Sequence, residues 1–146
     1  MLKSNVSYST DKDSFTAGKS CAEKAVVDLI ETKVAFVFSS VKYNQNKLLE
    51  GAKSVLGTAP IIGCTSSGAI IVPDGVVSSE SGFAGMLAIG DDETAVGVAS
   101  SERGKNPRET GKKVAKEAMA KVGTDKAPAL RSQPATAATA KTSPGW

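Results

Sequence analysis

Histidine does not occur among the 146 residues. Its absence excludes a Ser–His or Cys–His nucleophile pair, a His-liganded zinc and a histidine general base within this chain. Cysteine is scarce as well: Cys21 and Cys64 are the two thiols, too few for a structural zinc site without histidine. Their spacing is compatible with a disulfide, although in a reducing compartment both are expected to be reduced and buried. Aromatic residues make up 5% of the chain and the net charge is only +3, so there is no basic stacking surface of the kind that holds nucleic acid. No apolar run approaches the roughly 20 residues of a membrane span. The N-terminal M-L-K-S-N-V-S-Y also lacks the apolar core of a signal peptide. A cytoplasmic protein is the expectation.

What is there suits one modest core: 40% hydrophobic and 23% charged residues. Leu2–Tyr8 reads as a short strand, and Asp13 as the N-cap of an amphipathic helix running to about Glu31. Its stripe is Phe15, Gly18, Ala22, Ala25, Val26, Leu29 and Ile30. The run V-A-F-V-F-S-S from Val34 to Ser40 is apolar on both alternating sets, which predicts a central strand covered on both faces. Tyr43 and Asn44 open a second helix with Leu48, Leu49, Ala52, Val55 and Leu56 on its apolar side and Gly57 as its stop. The A-P-I-I strand that follows completes a βαβ unit, for which parallel pairing with a right-handed crossover is expected.

That strand leads into the most informative stretch of the chain, Ala59–Ile70, A-P-I-I-G-C-T-S-S-G-A-I. Gly63 and Gly68 bracket Cys64, Thr65, Ser66 and Ser67, so a loop of hydroxyls, one thiol and free backbone amides is expected at the carboxyl end of a central strand. Ligands of open α/β sheets bind at such ends. These six residues are the candidate ligand-binding set. The plainer reading is a tight turn whose hydroxyls cap their own backbone, and the residues alone leave both readings open.

Further along, Ala69–Val72 continues as a strand, and Pro73-Asp74-Gly75 is a turn signal. Gly82–Ile89 and Ala95–Ser100 read as a hairpin joined around Gly90–Glu93. Asn106-Pro107-Arg108-Glu109 starts a third helix, with Val114, Ala115, Ala118, Met119 and Val122 on one face and Gly123 at its end. From residue 126 to 146 the chain is rich in Ala, Thr and Pro with almost no large apolar side chains, and is expected to be a disordered tail. The whole predicts an α/β (mixed α+β) domain over 1–125, a mixed sheet of about six strands flanked by three helices.

Four stretches together resemble the N-terminal portion of the FIST sensory domain. They are Y-S-T-D-K-D-S-F-T-A-G-K-S-C-A from Tyr8, V-A-F-V-F-S-S-V-K-Y from Val34, P-I-I-G-C-T-S-S-G-A-I from Pro60 and K-N-P-R-E-T-G-K-K-V-A from Lys105. The FIST family occurs in prokaryotic signal-transduction proteins and some eukaryotic F-box proteins. The resemblance implies a non-catalytic sensor that binds a small molecule such as an amino acid, needs no cofactor, and signals to an output domain or partner protein. Gly63, Cys64, Thr65, Ser66 and Gly68 fall on the family's G-C-[S/T]-[S/T]-x-G-E loop, while Ala69 stands where the family usually has Glu. The family would also continue with another apolar strand after the third helix. This chain therefore reads as truncated or read through, with an exposed sheet edge open to self-association. Two readings compete: an enzyme using Cys64 as nucleophile, which would need a carboxylate or lysine base, and a ligand-independent interaction fragment.

Overall fold

A computed structural model describes residues 1–91, 93–102 and 105–123. The expected tail from residue 126 lies outside the described residues. Six strands and three helices follow one another as β1 (Lys3–Ser9), α1 (Ser14–Ala25), β2 (Thr32–Ser40), α2 (Gln45–Leu56), β3 (Ile61–Ser66), β4 (Ile70–Val72), β5 (Gly75–Val77), β6 (Ala84–Gly90) and α3 (Pro107–Val122). The α/β class holds. The strands divide into a four-stranded mixed sheet, ordered β1-β6-β2-β3, and a two-stranded β4-β5 hairpin.

The caps are those the sequence predicts. Asp13 accepts from the Thr16 amide at 2.8 Å and Asn44 from the Lys47 amide at 3.2 Å. Asn106 accepts from the Arg108 and Glu109 amides, with Pro107 at the first helical position. Each cap satisfies amide groups that a helix start leaves without partners. Gly57 and Gly123 end α2 and α3 at φ of 61° and 70°. The first helix stops earlier than its apolar stripe suggests, with Val26 as C-cap. Two β-branched valines follow one another there, and Asp28 then takes a left-handed φ of 60°, which turns the chain toward β2.

The βαβ expectation is met: β2 pairs parallel with β3, Ala35 opposite Ile61 through Ser40 opposite Ser66. The expected hairpin of Gly82–Ile89 with Ala95–Ser100 does not form. Both sides of β6 are already occupied, by β1 on one flank and β2 on the other, each antiparallel. A strand has two hydrogen-bonding edges, so residues 95–100 have no place on β6. They serve instead as the seat of α3: a Cβ at Gly97 would stand 1.9 Å from the Ala118 carbonyl oxygen, and Lys121 Nζ donates to the Val98 carbonyl at 2.7 Å.

One sheet face carries Ala35, Val37, Ala84, Met86 and Ala88 against Ala17, Cys21, Ala22 and Ala25 of α1 and Leu48, Ala52 and Leu56 of α2. Small alanines on both sides let the layers approach closely, and burial of this set supplies the main hydrophobic stabilisation. Strand β2 is interior, as expected, but not covered on both faces. Its second face shares registered rows with the neighbouring strands, Val6-Leu87-Phe36-Ile62 and Tyr8-Gly85-Phe38-Cys64. That face stays open enough to leave Phe38 39% exposed. Among the described residues its upper end is roofed, where Ile70 and Val72 of β4 pack on Phe83 and Ile70 Cδ1 would meet a Cβ at Gly85 at 2.5 Å.

Candidate functional site

The site set Gly63–Gly68 begins inside a strand rather than in a loop. Gly63, Cys64, Thr65 and Ser66 continue β3, in register with Val37, Phe38, Ser39 and Ser40; only Ser67 and Gly68 lie in the bend beyond it. Among the described residues β3 is an edge strand, not a central one. The glycine reasoning also changes. Neither Gly63 nor Gly68 is among the positive-φ glycines, and the group that approaches Gly63 is the chain itself, with the Val37 carbonyl oxygen 1.8 Å from where a Cβ would sit. Gly68 faces open space.

Alternation along β3 splits the six residues. Cys64 shares the open sheet face with Phe38, whereas Thr65 shares the helix-bearing face with Ser39. Ser66 Oγ donates to the Ala69 carbonyl at 2.9 Å and ties the bend to itself, which is the self-capping expected of a turn hydroxyl. Thr65 and Ser67 are exposed, and their hydroxyls have no hydrogen-bond partner among the described residues. The site therefore presents two unoccupied hydroxyls and an exposed glycine at one corner of the sheet.

The floor beside that corner is a polar network not predicted from the sequence. Ser39 Oγ donates to Gln45 Oε1 at 2.7 Å, and Gln45 Nε2 donates to the Ser40 and Tyr43 carbonyls, each at 3.0 Å. The Val41 amide reaches the Ser66 carbonyl at 3.4 Å. Tyr43 stands under this network, its hydroxyl donating to the Asp11 carbonyl and its ring filling the space beside Gly82. Burial moves the Tyr43 phenol upward from its ordinary pKa. The available signal was Gln45 following directly on the cap Asn44, just beyond the S-S that ends β2.

The thiols differ sharply. Cys21 is buried in the core, its Sγ 3.4 Å from the Ala84 carbonyl, and burial pushes its pKa up to about 12. Cys64 is half-buried and free, with no base hydrogen-bonded to it among the described residues. No group of three His, Cys, Asp or Glu residues able to hold a metal ion occurs among the described residues. No described helix is long and apolar enough to cross a membrane.

Fold and site together define a small α/β domain with a hydroxyl-bearing corner where the parallel strands β2 and β3 end. The chain belongs to the FIST family: the model of the FIST N domain matches residues 33–141, from β2 through α3 and beyond. The family is one of sensory signal-transduction domains, generally linked to signalling output domains. Comparison with curated proteins gave no match.

Proposed function

We propose that this chain is a non-catalytic, cytoplasmic sensory domain that binds a small molecule such as an amino acid at the β3 corner, Gly63–Gly68. In this reading the domain passes occupancy to an output domain or partner protein. The observation that carries the reading is the pair of exposed hydroxyls, Thr65 and Ser67, left without partners among the described residues beside the fixed Ser39–Gln45 network. A polar ligand would find donors and acceptors that the fold has not already used. Ser66 and Gly63 act in support, Ser66 by closing the bend and Gly63 by letting β3 lie close to β2. Cys64 lies on the opposite face from Thr65 and has no base paired with it among the described residues, so nucleophilic catalysis has no support in the described geometry.

The test is a thermal-shift screen of the full chain against amino acids and small carboxylates. A ligand at a hundredfold excess over Kd stabilises the folded state by about 2.7 kcal/mol, a shift that Thr65→Ala and Ser67→Ala should each reduce. A cooperative melt with no shift across the panel would sink the reading.

The outer edge of β3 favours a second reading. This edge has no neighbouring strand among the described residues, and such edges recruit partner strands. Concentration-dependent association by light scattering, without any ligand response, would favour this interaction role over sensing.

A further inference from the structure

At the other end of β3, away from the Gly63–Gly68 corner, the structure holds a cleft of about 610 Å³. This volume falls within the roughly 300–1,000 Å³ typical of small-molecule sites. Its apolar walls come from four places in the fold: Leu29 after α1, Val55 and Leu56 at the end of α2, Pro60 before β3, and Val96 from the segment that seats α3. Lys33 lies in the wall with only 19% of its side chain exposed, and its one partner among the described residues is Glu31 at 2.8 Å, itself 62% exposed. An ammonium has three donors, so two of them have no protein acceptor among the described residues. The hydroxyls of Thr32 and Thr58, which also line it, have no hydrogen-bond partner among the described residues.

We propose that this cleft is a binding site for a short aliphatic monocarboxylate, with its carboxylate on Lys33 and the two threonine hydroxyls and its chain against Leu29, Val55 and Val96. Two considerations bear on the sign of the ligand's charge. The negative ends of α1 and α2 also meet here and would favour a cation, an effect reduced where terminal carbonyls are already bonded. Ala22 accepts from the Val26 amide, Val26 from the Leu29 amide, Lys53 from the Gly57 amide and Leu56 from the Ala59 amide. Against that stands the Lys33 ammonium, the cationic side chain in the wall, whose partner among the described residues is an exposed carboxylate. Glu31 competes for Lys33 from the solvent side, and its exposure lets it swing into water when a ligand carboxylate takes its place.

The site has a route to the rest of the molecule. Val96 adjoins Gly97, whose backbone abuts the Ala118 carbonyl, and Lys121 donates to the Val98 carbonyl. An occupant touching Val96 therefore presses on the residues that seat α3, and occupancy is read at that helix.

The experiment is a titration of the full chain with hexanoate, hexanol and hexylamine, followed by backbone amide NMR. Hexanoate is expected to bind saturably, moving the amides of Leu29, Val55 and Val96 and then those of Ala118 and Val122. Lys33→Gln should weaken hexanoate by about tenfold or more, the loss of a charge-assisted bond, with folding of the variant verified by circular dichroism. Glu31→Gln removes the competitor and should tighten hexanoate, a gain that a merely structural ion pair would not give. Hexylamine binding as well as hexanoate, unchanged affinity in Glu31→Gln, or no saturable shift in the cleft overturns the site. Shifts that stop at Val96 overturn the route to α3. Shifts confined to Thr65–Gly68 would overturn this cleft while supporting the corner site, so the two readings fail separately.

Discussion

Gly18 of α1 and Leu48 of α2 meet backbone to backbone: a Cβ on Gly18 would stand 2.0 Å from the Leu48 carbonyl oxygen. Gly51 makes the reciprocal contact, its Cβ position lying 2.0 Å from the Phe15 carbonyl oxygen. Two helices locked this closely have no room for even one methyl group. Gly18→Ala and Gly51→Ala should each destabilise the domain by about 1–3 kcal/mol through overpacking, read as a lower midpoint in chemical denaturation. Gly111 is the control. It lies in α3 with open space around its Cβ position, so Gly111→Ala should be neutral or stabilising by up to about 1 kcal/mol.

Gly63 gives a prediction that separates folding from recognition. With the Val37 carbonyl 1.8 Å from its Cβ position, Gly63→Ala must push β3 away from β2. Its melting temperature should fall even without ligand. Thr65→Ala, at an exposed site with no hydrogen-bond partner among the described residues, should leave the unliganded melt unchanged within about 0.5 kcal/mol. Equal effects of the two substitutions on the free protein would contradict this division of labour.

The two cysteines should titrate as different groups. Cys21, pushed up to about 12 by burial, stays a thiol at neutral pH and is shielded from reagent. A disulfide-forming chromophore should therefore count one reactive thiol, Cys64, in the native protein and two after denaturation. Rapid modification of both under native conditions would show that the α1 layer opens readily.

Acid should weaken the fold at two turns. The Thr16 amide lowers the pKa of Asp13 from 3.8, and the Thr94 hydroxyl does the same for Asp91, aided by the Thr94 and Glu93 amides. A carboxylate whose folded pKa is depressed adds stability that is fully present above its unfolded value. That stability is lost as pH falls through the folded value. Melts followed from pH 5 downward should thus lose stability from about pH 4, and the Asp91→Asn variant should show a shallower decline.

Much of this architecture was legible because it is written locally. Asp13, Asn44 and Asn106 cap, Gly57 and Gly123 stop, and the apolar run at Val34 could only be an interior strand next to a parallel partner. What the sequence could not disclose was long-range pairing. Gly82–Ile89 looks like half of a hairpin because its neighbour in sequence is strand-like, yet the competition for its edges is won by β1 and β2, which lie far back in the chain. The same ignorance of pairing put Gly63–Ser66 in a loop, since nothing local reveals that β2 is long enough to carry β3 through Ser66. The corner hydroxyls were legible by composition. The Gln45 network beneath them, and the cleft around Lys33, depend on which segments meet.

The place of β6 between β1 and β2 has a consequence for how the protein is made. Among the described strands, until residues 84–90 leave the ribosome, β1 has no strand to pair with and β2 can join only β3. Among the described strands, the sheet is thus closed by the one that comes last in the chain, a late and non-local event of the kind that slows folding. A nascent chain halted before Ala84 would hold its helices and its β2–α2–β3 unit beside an unclaimed N-terminal strand, the species a chaperone would have to shelter.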